Sequence, residues 1–250
     1  MTLPTITLVT ICWNAQKTLP DTLESVLAQE HLPLEYLFVD GGSTDQTLDI
    51  LEEFRTRFEA RGCTCQVIPQ QRIPGQAGIP SAWNQALTRA KGEVIALLNA
   101  DDAYEPDALA TVLRLFTPET EAVCVPVAMD AADPARSWLF APQPLARLPW
   151  KMPVPHPGTF FRRTVYDRVG NYDTRYRISA DYDFIWRCRA AGVTWRYFTA
   201  RPLVHMRLGG VANSSRALAR RETYRIARRH CEWYDLRPAI ALLVRALTGR

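Results

Sequence analysis

No apolar run in the 250-residue sequence approaches the roughly 18 residues needed to cross a bilayer. The opening MTLPTITLVT has no basic segment ahead of a cleavable apolar stretch, so the chain reads as cytosolic. Its six cysteines, Cys12, Cys63, Cys65, Cys124, Cys188 and Cys231, lack the C-x-x-C spacing of a zinc site and are too scattered for a disulfide framework. The dinucleotide fingerprint G-x-G-x-x-G is also missing, which argues against a nicotinamide or flavin enzyme. No Gly/Ser-rich linker divides the chain. The net charge of +4 is uneven: residues 201–250 carry eleven arginines against Glu222, Glu232 and Asp235, and the rest is net negative. No nucleic-acid recognition motif accompanies those arginines, so nucleic acid is not an expected partner.

What is present is a rhythm of strands and helices. "TITLVTI" reads as a buried strand, and "KTLPDTLESVLAQ" carries Leu19, Leu23, Val26 and Leu27 at helical spacing. "EYLFVD", a Gly-rich turn capped by Ser43 or Asp45, and a helix with apolar Leu48, Leu51 and Phe54 repeat the pattern. "CTCQVIP" with "SAWNQALTRA", then "EVIALLN" with "EPDALATVLRLF", complete four units, the last with Pro106 suited to a helix's first turn. Four such units predict an α/β fold with a doubly wound, largely parallel sheet. Ligands bind such sheets beyond the carboxyl ends of the strands, where Trp13-Asn14, Asp40-Gly41-Gly42 and Asn99 to Asp102 all fall. After residue 120 the pattern loosens into mixed strands, a Pro-rich passage from Pro142 to Pro157, and a helix from about Asp181 to Ala191. The simplest organisation is one domain with a nucleotide half over 1–115 and an acceptor half over 116–213, followed by a basic tail over 214–250.

Each polar cluster has two readings. Asp101 and Asp102 at a strand end suit a hard divalent cation shared with a diphosphate, or only the approach to a helix dipole. Asp40-Gly41-Gly42-Ser43-Thr44-Asp45 could accept from a base N–H, or could be an ordinary strand–turn–helix junction. In "ISADYDF", Asp181 and Asp183 could cap a helix, or one could be a general base. His156 and His205 are core histidines or metal ligands, and Trp13 is packing or a stacking surface.

In order, "TITLVTICWNAQKTLPDTLESVLAQ", "EYLFVDGGSTDQT", "GIPSAWNQALTRAKGEVIALLNADD", "HPGTFFRRTVYDRVGNYD", "ISADYDFIWRC" and "LGGVANS" resemble the family 2 inverting glycosyltransferases, most closely bacterial members that build cell-surface polysaccharides. The resemblance implies a GT-A fold, a Rossmann-like three-layer α/β/α sandwich around a central, mostly parallel mixed sheet. It implies a nucleotide-diphosphate sugar (UDP-, GDP- or dTDP-linked) as donor and a glycan or polyprenyl-linked acceptor. On the donor side it implies Trp13, Asp40, Arg72, Asn84, Asp101 and Asp102. Asp101 and Asp102 would hold Mn²⁺ or Mg²⁺, with His205 as a further ligand. Asp181 would be the catalytic base, and His156 and Asp183 would lie toward the acceptor. Two departures stand out: Asn99 occupies the place of the family's first acid, and the Q-x-x-R-W motif of processive synthases is missing, which implies transfer of single sugars. Outside this family, the alternatives are a nucleotidyltransferase, for which "TICWNAQKTL" offers no phosphate loop, and a non-catalytic nucleotide-sugar-binding partner.

The tail reads as a basic helix, "RALARRETYRIARRH", then a short stripe of Ile240, Leu243, Val244 and Leu247 at i, i+3, i+4, i+7. Such a stripe either packs on the main domain or anchors at an anionic inner leaflet.

Overall fold

The computed structural model describes residues 3–208, 216–232 and 235–248. The landmark at 208–214 and the 213/214 boundary therefore lie almost wholly outside the described residues. The apolar run Ile6–Cys12 forms β1 and Glu35–Asp40 forms β2, both buried along nearly their whole length. Near-continuous apolar strands of this kind belong in the middle of a parallel sheet covered on both faces. Between them, α1 (Leu19–Leu27) starts with Pro20 in its first turn and buries Leu19, Leu23 and Val26. Helix α2 (Thr47–Glu59) buries Leu51, Phe54 and Phe58; Leu48, expected on that stripe, faces solvent. The pattern continues through β3 (Thr64–Pro69), α3 (Gly78–Leu87) and β4 (Val94–Leu97).

A short β5 (Asp102–Tyr104) precedes α4 (Ala108–Leu115). The looser second half supplies β6 (Ala122–Cys124), β7 (Val127–Asp130), β8 (Trp138–Phe140), β9 (Thr159–Arg162), α5 (Arg163–Val169), α6 (Ala180–Ala190), β10 (Trp195–Tyr197) and β11 (Val204–Arg207). The tail contributes α7 (Arg216–His230) and α8 (Arg237–Thr248).

Seven strands make the central sheet in the order β10-β6-β9-β4-β1-β2-β3. All neighbours are parallel except β9, which runs antiparallel to β4 and β6. One face carries Ile6, Leu8, Tyr36 and Phe38 against α1, α2 and α4. The other carries Val9, Leu37 and Val39 against α3, α5 and α6. This is the expected three-layer α/β/α sandwich with a mostly parallel mixed sheet. Gly92 marks a close approach at its base: a Cβ there would come within 2.4 Å of the Thr7 backbone nitrogen.

A second, four-stranded sheet, β5-β11-β7-β8, was not legible in the sequence. Its origin is local: Pro126, with no N–H to donate to a ladder, separates β6 from β7, and the chain resumes in the other sheet.

Two findings describe the tail. Helix α7 is part of the folded body, since Ile226 and Ala227 enter the second core. In α8, Ala241 is buried, whereas Ile240 and Leu243 are 45% and 60% exposed and the preceding Leu236 is 66% exposed. Of the expected stripe, Ile240, Leu243 and Val244 thus present much of their surface to solvent; Leu247 lies outside the described side chains.

Candidate active site

Strand register brings the polar clusters to one edge. Cys12 pairs with Asp40, Asp40 with Pro69, and Val9 with Leu97, so the loops after β1, β2, β3 and β4 leave the sheet on the same side. The first two are stitched together. Asn14, at φ 49°, a left-handed conformation that Asn tolerates, accepts from Thr44 N (2.8 Å) and donates its own N–H to Ser43 Oγ (2.9 Å). The Asp45 carboxylate accepts from Gln16 N and Thr47 N. Asp40, itself buried, accepts from the N–H groups of Gly42 and Ser43 (3.0 Å each) and from Ser43 Oγ (2.6 Å). It orders the turn after β2. The Cys12 thiol beside it is pushed up to about 12 by burial and then by Asp40, so it stays protonated and is no nucleophile.

Trp13 projects from this edge with 65% of its surface exposed, over Gly41, where a Cβ would sit 3.2 Å from Trp13 Cβ. Arg72 donates to the Gly41 carbonyl (2.8 Å). Trp13, Asp40 and Arg72 thus share one loop cluster. Asn84 does not join it: its amide donates to Tyr172 O (2.8 Å) and accepts from Tyr172 N (2.9 Å). In this structure it is a scaffold residue that pins the backbone of the 172 loop to α3.

Beyond β4, Asp102 is only 1% exposed. Its Oδ2 accepts from Asn99 Nδ2 (2.9 Å), while Oδ1 is buried with no hydrogen-bond partner. Burial and then the adjacent Asp101 push its pKa up to about 7. Asp101, less buried, is raised by desolvation, with Arg207 opposing. A buried carboxylate oxygen without a donor is costly, and a divalent cation shared between these two acids would satisfy it. Among the described residues no group of three His, Cys, Asp or Glu could close around a metal ion. The arrangement therefore fits a cation held by two carboxylates and completed by phosphate oxygens and water. His205 is not a third ligand here. Its Nδ1 faces Asp130 Oδ2 (2.9 Å) and its Nε2 faces Glu105 Oε1 (2.7 Å), so both ring nitrogens are taken.

The segment leading into α6 reaches the same edge. The Thr174 carbonyl accepts from Ala77 N (2.8 Å) at the start of α3, which draws the segment leading into α6 toward the donor loops. On α6 the two acids have different fates. Asp183 is buried, ion-paired to Arg187 (2.8 Å) and near His230 (3.8 Å); the expectation that it faces the acceptor gives way to a structural pairing. Asp181, two residues nearer the helix start and so on a different side of α6, accepts from Tyr182 N (2.7 Å) and has no cationic partner among the described residues. Burial raises its pKa to about 6. His156 opens the turn into β9, which begins opposite Cys124 at the same edge. Its ring packs on Trp83 (4.6 Å between centroids) and meets the Tyr172 hydroxyl (3.2 Å). Burial lowers its pKa to about 4, so it is neutral at physiological pH.

Sequence reading missed Glu222, whose buried carboxylate accepts from the N–H groups of Arg177, Ile178 and Ser179. One signal was available, a single acid in a helix with six arginines.

This edge can be set beside known proteins. A "PGL/p-HBAD biosynthesis glycosyltransferase" of Mycobacterium tuberculosis is 30% identical over 218 residues, covering 86% of this chain and 81% of the relative. Among solved structures, S. aureus TarS 1-349 in complex with UDP-GlcNAc superposes with TM-score 0.70 at 18% identity, covering 90% of this chain; this chain spans 65% of that protein's. A mannosyltransferase from Pyrobaculum calidifontis in complex with GDP-Man and Mn²⁺ superposes with TM-score 0.69 at 18% identity, covering 100% of this chain and 77% of the other. At such identities the structural likeness speaks for the fold. The sequence model of glycosyl transferase family 2 matches residues 7–170, from β1 through the end of α5. That span exceeds half the chain and takes in the loops after β1 to β4, and with the mycobacterial likeness it means that this chain belongs to glycosyl transferase family 2.

Proposed function

We propose that the protein is an inverting glycosyltransferase that moves one sugar from a nucleotide-diphosphate donor to a hydroxyl of a glycan or polyprenyl-linked acceptor in cell-surface polysaccharide synthesis. The observation that carries this reading is the contrast on α6: Asp183 is paired with Arg187, whereas Asp181 has no cationic partner among the described residues and burial raises its pKa to about 6. A carboxylate tuned toward the working pH is what a general base requires. In the reaction, the acceptor oxygen forms the new bond to the anomeric carbon as the bond to the diphosphate oxygen breaks on the opposite face. The hydroxyl proton passes to Asp181.

On the donor side, Trp13 offers an exposed face for the base, Arg72 stands beside the Asp40 turn, and Asp101 and Asp102 would hold Mn²⁺ or Mg²⁺. The cation, when bound, neutralises charge developing on the leaving diphosphate. Residues 1–115 then serve the donor and 116–213 the acceptor. His156, neutral and bonded to Tyr172, is suited to accept from or donate to an acceptor hydroxyl without adding charge. UDP-GlcNAc and GDP-Man, bound by the two structural neighbours, support a nucleotide-sugar donor.

A thermal-shift panel of UDP, GDP, dTDP and CMP, each with Mn²⁺ and with EDTA, tests the donor site. A nucleoside diphosphate at 100 times its Kd stabilises the fold by about 2.7 kcal/mol. One diphosphate should raise the melting temperature, and more with Mn²⁺. No response from any nucleotide under either condition removes the donor site from Asp40 to Asp102.

The same proposal puts the protein in the cytoplasm, at the inner face of the membrane. Among the described residues no helix is long and apolar enough to cross it. Leu236, Ile240 and Leu243 are exposed, and so are Arg216, Arg221 and Arg225, a combination suited to an anionic interface. The full chain should float with vesicles containing phosphatidylglycerol, and replacing Leu236, Ile240 and Leu243 by serine should abolish flotation. Equal flotation of both proteins, or of neither, rejects the contact.

A further inference from the structure

The turn that precedes α6 is held by the tail. Arg177, Ile178 and Ser179 present three successive backbone N–H groups, and all three end on one side chain. Glu222 Oε1 accepts from Arg177 N at 2.8 Å, and Oε2 accepts from Ile178 N and Ser179 N at 2.9 Å each. The carboxylate is 5% exposed. Around it, the Ser179 hydroxyl lies against Thr223 Oγ1 (3.3 Å) and Ala219 O (3.4 Å), and Arg229 donates to the Tyr176 hydroxyl. Helix α7 thus grips the chain from Tyr176 to Ser179, and Asp181 follows two residues later. An anion at that position also opposes the positive end of α6, the partial charge that would otherwise favour ionised Asp181 and weaken it as a base.

We propose that Glu222 is a positioning residue for Asp181: its buried carboxylate, reaching back from the basic tail, fixes the turn from which α6 presents the base. The inference rests on the reading of Asp181 as the base. It assigns to the one acid of an arginine-rich helix a part in group transfer that requires no contact with either substrate. Charge-assisted bonds from three N–H groups are short and strong, and misplacement of a catalytic group by about 1 Å can cost on the order of a hundredfold. The other ionisable groups near this end of α6 include Arg177 in the turn itself, Tyr176 with Arg229 on its hydroxyl, Tyr172 bonded to His156, and the Asp183 carboxylate facing Arg187 and His230; none of the carboxylates among them bonds the turn's N–H groups.

The test compares full-length wild type with Glu222→Gln, Glu222→Asp and, as a contact on α7 that carries no charge, Thr223→Val. Turnover is followed as release of UDP from UDP-GlcNAc or GDP from GDP-Man with water as acceptor. The Asp181 carboxyl is titrated by ¹³C NMR in protein labelled at aspartate and assigned with Asp181→Asn. Glu222→Gln should lower kcat roughly tenfold to a hundredfold, leave the donor KM within about twofold, and move the Asp181 midpoint to lower pH because a neighbouring negative charge is gone. Glu222→Asp keeps the charge but withdraws it by one methylene, so kcat should fall while the midpoint stays closer to wild type; this variant decides the matter if the glutamine form does not fold. Thr223→Val should leave the midpoint in place. Wild-type turnover in both Glu222 variants, or an unmoved midpoint in Glu222→Gln, overturns the inference. If Asp181→Asn itself keeps wild-type turnover while Glu222→Gln is impaired, the base assignment is what fails, and Glu222 does not act through it.

Discussion

Asp181→Asn should lose at least about a hundredfold in kcat, the lower end of what a positioned carboxylate contributes by taking a proton in the transition state, with the affinity for the nucleoside diphosphate little changed. The substitution is nearly isosteric, and the one bond given to the side chain, from Tyr182 N, can be kept by the amide oxygen, so folding should survive. The pH profile supplies the sign. Burial holds the Asp181 proton up to about pH 6, so kcat/KM of the wild type should be level above about pH 7 and fall roughly tenfold per unit below the midpoint. Asp183→Asn is the informative contrast. It leaves Arg187 facing a neutral partner in a largely buried setting, and breaking such a pair costs about 3–5 kcal/mol of stability. Asp181→Asn should hurt turnover and Asp183→Asn should hurt melting temperature. Near-normal turnover in Asp181→Asn would send the search for the base elsewhere.

Withdrawal of divalent cation should be the other large effect. If Asp101 and Asp102 hold a cation that meets the diphosphate, its contribution of several kcal/mol at the leaving group corresponds to a loss of about 10²–10³-fold in rate, restored by Mn²⁺ or Mg²⁺. Asp101→Asn should produce the same loss at saturating donor and should erase the extra stabilisation that Mn²⁺ gives to bound UDP or GDP in melting experiments. Because burial holds a proton on Asp102 up to about pH 7, cation binding must displace it, and Mn²⁺ affinity should rise between pH 6 and 8. Turnover indifferent to EDTA, with an unchanged Asp101→Asn enzyme, would reject the metal.

The parts of this architecture that sequence alone conveys are those written locally. The first four strand–helix units are each contained in a stretch of about thirty residues, with apolar spacing matched to one element at a time. The donor edge follows from them, because consecutive parallel strands end on one side, as Cys12 against Asp40 and Asp40 against Pro69 show. Misreadings occur where a side chain's partner is far along the chain. Asn84 was matched to a donor motif, but what engages it is the backbone of Tyr172, 88 residues on. His205 looked available as a ligand until Asp130 and Glu105, 75 and 100 residues away, claimed both nitrogens. Asp183 is a different case: its partner Arg187 stands at i+4 on the same helix, a local spacing that the sequence does display and that sets it apart from Asp181.

The bond between Glu222 and residues 177–179 also has a consequence for the order in which the protein is made. Synthesis proceeds from the N-terminus, and domains tend to fold in that direction. The loops after β1 and β2 emerge early together with their mutual hydrogen bonds, whereas β5, which begins at Asp102, waits for its partner strand β11 at Val204–Arg207. The turn before Asp181 emerges later and stays without its three-fold acceptor until residue 222 has left the ribosome. A nascent chain would thus complete the turn after β2 well before the turn that precedes Asp181.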